Sequence, residues 1–237
     1  MNKGIERTPR LWVKRLNLFQ LANKPKRIFK LMSVPSRKPA ARLRIIISRA
    51  VASALVILAL LTGSAWEMRP LIEGSIFLVG CSLVALAMIG RLWASLYICG
   101  YKTNHLITEG PYSLTRNPLY ALSLIGAIGV GMTTGTLMIP ALIAVAFAIY
   151  YPAVIRSEEA ILEARHPKEF VRYSSEVPRF WPRSFRCLTE SKDYVVIPKA
   201  FRKAMGSVVW FAILIGVFEM ADELRDSHVL PTLFTLW

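Results

Sequence analysis

An all-α, polytopic membrane bundle of about five transmembrane helices is the fold class this sequence predicts, and three observations predict it. Of 237 residues, 54% are hydrophobic and 19% charged, yet the net charge is +15, so the charges are segregated rather than spread over a water-facing surface. Apolar runs lie at about 45–66, 71–93, 119–132, 137–155 and 205–220. Positions 117–155 carry no charged residue. At ~1.5 Å per helical residue this stretch is too long for one crossing of a ~30 Å bilayer core. Gly131-Met132-Thr133-Thr134-Gly135 supplies a turn near its middle, so a tight helical hairpin is expected, with arms of roughly 17 to 20 residues, just enough to span.

The elements follow in chain order. Residues 1–44 form a basic arm, with thirteen Lys and Arg against one acid, Glu6. Its spacing, as in Leu11-Trp12-Val13-Lys14-Arg15-Leu16-Asn17-Leu18-Phe19, suits a helix lying on anionic lipid, where each basic residue adds ~1 kcal/mol of attraction. Anionic lipid is therefore the expected partner of the arm, and nucleic acid is not expected. A transit peptide is also basic and acid-poor, but a cytoplasmic arm is the preferred reading. Residues 45–183 form the membrane core, and 184–237 a cytoplasmic linker followed by a last transmembrane helix, interrupted by Glu219.

Lys and Arg set the orientation. The 67–70 connection holds only Arg69 and is placed outside. The 91–118 connection holds Arg91, Lys102 and Arg116 and is placed inside, the hairpin tip near Thr134 outside, and the 156–203 segment, with eleven basic residues, inside again. An integral, multi-pass protein with a cytoplasmic N-terminus and a cytoplasmic site is expected.

Several chemistries find no pattern. Cys81, Cys99 and Cys187 give no CxxC pair and are read as reduced; with His105, His166 and His228 scattered, no metal site is expected. Gly126-Ala127-Ile128-Gly129-Val130-Gly131 superficially resembles a phosphate loop, but it lies in mid-span without a preceding strand, and its small residues suit close helix packing. Neither Ser113 nor Ser123 has the flanking glycines of a nucleophile elbow.

Two polar motifs flank the hairpin. His105-Leu106-Ile107-Thr108-Glu109 precedes Gly110-Pro111-Tyr112, then Arg116-Asn117-Pro118-Leu119-Tyr120 enters the apolar stretch. Glu158-Glu159-Ala160-Ile161-Leu162 leaves it, followed by Phe170-Val171-Arg172-Tyr173 and Val177-Pro178-Arg179-Phe180-Trp181-Pro182. Because the stretch is long enough to cross twice, both motifs belong on one membrane face. Singly, each has a structural reading: a turn, a charged anchor, an interfacial aromatic, or the polar start of a helix. Their joint order, over roughly 91–182, resembles the isoprenylcysteine carboxyl methyltransferase family and its phospholipid N-methyltransferase relatives.

The resemblance implies an integral membrane methyltransferase that uses S-adenosylmethionine. Carried residue by residue, it implies cofactor contacts from Asn104, His105, Leu106, Ile107, Tyr112, Asn117, Pro118, Leu119, Tyr120 and Glu158. It implies support of the pocket by Arg116 and Glu159, and a substrate-side role for Arg156. A zwitterionic sulfonium ligand wants a carboxylate for its ammonium, amide donors for its carboxylate and aromatics for adenine, needs that Glu158, Asn117 and Tyr112 or Tyr120 can meet. Asn117 stands where many members carry histidine, which removes a titratable group. An amine acceptor needs a base and a carboxylate does not, so a lipophilic carboxylate entering from the bilayer is the preferred acceptor and a phospholipid amine the alternative. A non-catalytic membrane relative acting in a complex is the alternative of another class.

Overall fold

The computed structural model describes residues 39–64, 69–99, 105–190, 196–229 and 234–236. Most of the basic arm, together with Asn104 and Lys102, therefore lies outside the described residues. The chain divides into two units, Met1–Ala50 and Val51–Trp237, and all the packing below belongs to the second.

The described residues are α-helical nearly throughout: α1 (Pro39–Leu61), α2 (Pro70–Ile98), the single turn α3 (Pro111–Leu114), α4 (Pro118–Met132), α5 (Met138–Arg165), α6 (Pro167–Glu176) and α7 (Pro198–Asp226), with a 3-10 turn at Phe185–Cys187. Five of these starts place proline in the first turn at α2, α3, α4, α6 and α7. There its missing N–H costs nothing and its fixed φ suits a helix. Two three-residue strands, β1 (Thr62–Ser64) and β2 (Phe234–Leu236), pair in parallel with Gly63 opposite Thr235. No alternation in the sequence foreshadows them.

Three helical segments are long and apolar enough to cross a membrane, Leu71–Ile98, Met138–Arg165 and Pro198–Asp226, and Ala50–Leu61 and Pro118–Met132 are shorter apolar helices. The protein is an all-α membrane bundle. Alongside α4 lie α2 and α5, and α7 packs on α2 and α4. The seam between α2 and α4 depends on glycine: a Cβ added to Gly80 would lie 2.7 Å from the Gly129 carbonyl oxygen, and one added to Gly129 would lie 2.7 Å from that of Gly80. The mid-span glycines thus serve close helix packing.

Three expectations need amendment. The second helix does not stop at Trp93 but runs to Ile98, because Ala94-Ser95-Leu96-Tyr97 contains no breaker; Arg91 is therefore helical rather than part of a connection. The hairpin arms are unequal. With 15 residues, α4 is ~22 Å long, short of a ~30 Å core, whereas α5, with 28, is ~42 Å long. The hairpin tip is also not a solvent loop: Thr133, Thr134 and Thr136 are all buried. Their burial is tolerable because Thr133 donates to the Val130 carbonyl and Thr134 to that of Gly131, with Thr134 and Thr136 hydroxyls bonded to each other. Beside the tip, Ile139 joins Ala59, Val84, Val130 and Phe218 in one apolar core, so the ends of α1 and α7 close over the short arm.

The short arm leaves the sequence argument about the site intact. Both ends of the hairpin return to the same end of the bundle, where α4 begins and α5 ends.

Candidate active site

The loop entering α4 is shaped by Gly110, whose φ of +59° with ψ of −135° is a backbone state that residues with a Cβ avoid. A Cβ there would also run into the Tyr97 ring at the end of α2. Gly110 donates its N–H to the Thr189 carbonyl at 2.7 Å, and the Thr189 N–H returns to the Ser113 hydroxyl at 3.0 Å. The Arg116 N–H meets the Pro178 carbonyl at 2.9 Å, and the Thr115 hydroxyl donates to the Phe180 carbonyl at 3.0 Å. The two motifs, some sixty residues apart, are thereby bound as one surface.

Glu159 lies at the centre of that surface, 7% exposed. Its Oε2 accepts from Arg179 Nε at 2.9 Å, and its Oε1 accepts from Asn117 Nδ2 at 3.2 Å. Arg116 Nε is 3.4 Å from the same Oε1, an ion pair without hydrogen-bond geometry. Asn117 Nδ2 also donates to the Arg179 carbonyl at 3.0 Å. A buried carboxylate requires such partners. Arg116, in turn, places its guanidinium carbon 6.0 Å from the centre of the Phe170 ring on α6.

Glu158, one residue earlier, faces the other way. It is exposed, and no hydrogen bond or ion pair among the described residues engages its carboxylate. Arg156 is exposed as well. Tyr112 is 7% exposed, yet its hydroxyl is buried without a hydrogen-bond partner among the described residues. Burial drives this phenol well above its ordinary pKa, and the surrounding charges include those of Tyr173, Cys99, Glu158 and Arg91. The Tyr173 phenol is raised too, chiefly by burial, with Arg116 opposing and Glu159 adding to the shift. Its hydroxyl donates to the Tyr112 carbonyl at 2.7 Å. Tyr120 packs edge-on against Tyr151 at 5.3 Å, and Tyr151 stacks on Phe147 at 3.7 Å.

The residues expected at the site are thus gathered at one end of the bundle. Pro118, Leu119 and Tyr120 form the first turn of α4, Asn117 precedes them, His105, Leu106 and Ile107 lie on the approach, and Arg156, Glu158 and Glu159 close α5. Asn104 falls outside the described residues. A cavity of about 540 Å³ opens at this end, within the size range of small-molecule sites. Leu106, Ser113, Glu169, Arg172, Tyr173 and Thr189 are among the residues that line it, and of those expected to hold the cofactor only Leu106 is among them. Among the described residues no group of three His, Cys, Asp or Glu is placed to hold a metal ion.

These residues fit S-adenosylmethionine in part of its needs. Glu158 offers an exposed carboxylate that no described residue engages, suited to an ammonium, and the Tyr112 ring offers an aromatic wall. Asn117 differs from its expected use: both hydrogen bonds of its amide nitrogen are made inside the fold, so its side-chain oxygen is what a ligand could meet. Sequence reasoning missed Arg179, Tyr173 and Arg91. The first two stand inside quoted motifs, and Arg91 was legible as a lone charge at the edge of an apolar run.

A helical membrane bundle with two polar motifs gathered at one end is the class of protein that the fold and the site define. A family model described as phospholipid methyltransferase matches residues 69–169. The nickel-cobalt-cadmium resistance protein NccN of Alcaligenes xylosoxydans xylosoxydans is 40% identical over 196 residues, covering 82% of this chain and 90% of the relative. The cobalt-zinc-cadmium resistance protein CzcN of Cupriavidus metallidurans is 44% identical over 153 residues, covering 65% and 70%. No solved structure matches. The chain belongs to the phospholipid methyltransferase family.

Proposed function

We propose that this membrane methyltransferase takes its methyl group from S-adenosylmethionine and delivers it to the carboxylate of a lipid-linked, isoprenylcysteine-like acceptor, at the cytoplasmic face. The observation that carries this reading is the convergence of the Gly110–Tyr120 loop, the end of α5 and the Pro178–Phe180 segment around Glu159. When bound, S-adenosylmethionine supplies an activated methyl on a sulfonium. Glu158 pairs with the ammonium of the donor, and Tyr112, His105, Leu106, Ile107 and the first turn of α4 form its walls. Glu159, held by Arg116, Arg179 and Asn117, fixes the loop against α5 and keeps Glu158 in register. Arg156 serves the substrate side.

Alignment of nucleophile and methyl at ~3 to 3.5 Å is the main contribution a protein makes to such a transfer, and can supply ~7 to 11 kcal/mol of the barrier. A carboxylate, with an ordinary pKa near 4, is already ionised at neutral pH and asks for no base, in keeping with an asparagine whose amide nitrogen is engaged at position 117. The description of the matching family favours a second reading, methylation of a phospholipid amine. The names of the two relatives attach them to divalent-metal resistance; we infer for this chain a contribution to resistance exerted through its methylated product.

Calorimetry of S-adenosylmethionine with the purified full-length protein tests the cofactor. Glu158→Gln should weaken binding at least about tenfold, about 1.4 kcal/mol, while Glu163→Gln, one helical turn further on, leaves it unchanged. Equal affinities of the two variants would sink the assignment. A product methyl ester released as methanol by mild alkali supports carboxyl transfer; an alkali-stable methyl group moves the acceptor to an amine.

A further inference from the structure

Arg91 lies inside the candidate span Leu71–Ile98, seven residues before the end of α2, or about 10 Å along the axis. It turns inward to α4. Its Nη1 donates to the Leu119 carbonyl at 3.2 Å and to the Ser123 hydroxyl, and its guanidinium carbon sits 5.8 Å from the centre of the Phe211 ring of α7. Phe211 can come that close because Gly126 lacks a side chain: a Cβ there would be 2.8 Å from the ring.

Among the described residues no carboxylate pairs with Arg91, and its Nε is buried without any hydrogen bond. Four acids in ion pairs go to other bases: Glu159 to Arg116 and Arg179, Asp222 to Arg225, Glu169 to His166 and Glu176 to Arg172. A guanidinium within the span without a counter-charge is costly, and such residues mark ligand pathways. A second unpartnered buried donor, the Tyr112 hydroxyl, belongs to the cluster of Ala94, Tyr97 and Tyr112 that begins three residues beyond Arg91 on α2, and Leu119, whose carbonyl Arg91 meets, packs against that cluster. Arg91 is only partly buried within the span, and these two donors, without acceptors among the described residues, form a complement to an anion that arrives on an apolar tail.

We propose that Arg91, with the Tyr112 hydroxyl, binds the carboxylate of a single-chain amphiphile entering from the bilayer between α2, α4 and α7. This rests on the methyltransferase reading only for its consequence, which is that the acceptor is held by its negative charge beside Tyr112, where the donor is also placed. Arg91 is then the residue that selects a carboxylate over an ammonium or a neutral ester. The planar fork of its guanidinium matches a carboxylate better than a lysine would.

The test is calorimetry of octanoate, methyl octanoate and octylammonium with the full-length protein in a neutral detergent, corrected for uptake by empty micelles. Wild type should bind octanoate at least tenfold more tightly than either uncharged or cationic analogue. Arg91→Gln should lose at least tenfold for octanoate while its affinities for methyl octanoate and S-adenosylmethionine stay within twofold, and Arg91→Lys should fall between. Equal wild-type affinity for acid and ester overturns the proposal without any variant, which covers the case of Arg91→Gln failing to fold. Loss of S-adenosylmethionine binding in a folded Arg91→Gln also overturns it, assigning Arg91 to the donor. If wild type selects octanoate but never binds S-adenosylmethionine, the anion site stands and the cofactor reading falls.

Discussion

Two neighbouring regions treat polar groups in opposite ways. Around Glu159, one carboxylate meets two guanidiniums and an amide, and the loop backbone is tied down at Thr189, Pro178 and Phe180. At Arg91 on α2 and Tyr112 in the α3 turn, a buried donor finds no hydrogen-bond partner among the described residues. A folded chain satisfies its buried polar groups wherever the fold alone is at stake. The contrast lies in charge: Arg116 Nε, although it makes no hydrogen bond, is paired with Glu159, so that region serves as scaffold, whereas Arg91 has no counter-charge among the described residues, and there we propose that a ligand completes the structure. Adjacent glutamates make the same division: Glu159 is consumed by the fold, and Glu158 stays exposed, the one we propose for the methyl donor.

The largest effect expected from this contrast is at Glu159. Glu159→Gln leaves Arg116 and Arg179 without a counter-charge and should destabilise by about 3 kcal/mol, at the low end for a broken buried pair because Arg179 is half-exposed. Glu158→Gln should change stability by no more than about 0.5 kcal/mol, as exposed substitutions do. Chemical unfolding of both variants in the same detergent measures the difference. Comparable losses would remove the distinction between the two carboxylates.

A smaller effect separates two tyrosines. Tyr173→Phe deletes a buried bond to the Tyr112 carbonyl and should cost about 1 kcal/mol. Tyr112→Phe deletes a hydroxyl that bonds to nothing and should be neutral or slightly stabilising, while weakening octanoate binding. The contrast breaks down if Tyr112→Phe unfolds as readily as Tyr173→Phe.

The smallest effect is with pH. Both phenols are raised above 10 in the folded protein, so below that pH neither state has lost a phenolic proton and these groups leave stability level. Above pH 10 the unfolded chain sheds protons that the folded one retains, and stability should fall with rising pH. Parallel unfolding curves at pH 8 and 11 measure it. Tyr112→Phe and Tyr173→Phe should each flatten part of the decline.

Much of the site was legible because its residues come in short runs. The turn at Gly110-Pro111-Tyr112, the proline opening α4 and the paired glutamates at the end of α5 all sit where the sequence puts them. The extent of the membrane helices was less so. Apolar runs mark lipid-compatible segments, but Arg91 read as the end of one when the helix continues for seven residues past it. Charge alone cannot tell a side chain that snorkels to water from one that turns toward Leu119 and Ser123.

What the sequence by itself determined is the class: an apolar, charge-segregated chain must become a helical membrane bundle, since only helices or closed barrels satisfy the backbone in lipid. It also determined that both motifs return to one end of that bundle, because an uncharged stretch of such length must double back. The tertiary structure alone decided which glutamate is buried, which cation lacks a counter-charge and how far α4 reaches. Those outcomes depend on helix rotation and on side chains meeting across elements: Arg179 with Glu159, Phe211 with Gly126, Gly80 with Gly129. A rotation of 100° per residue sends consecutive Glu158 and Glu159 to different surroundings, and only packing against the loop fixes which of them turns inward.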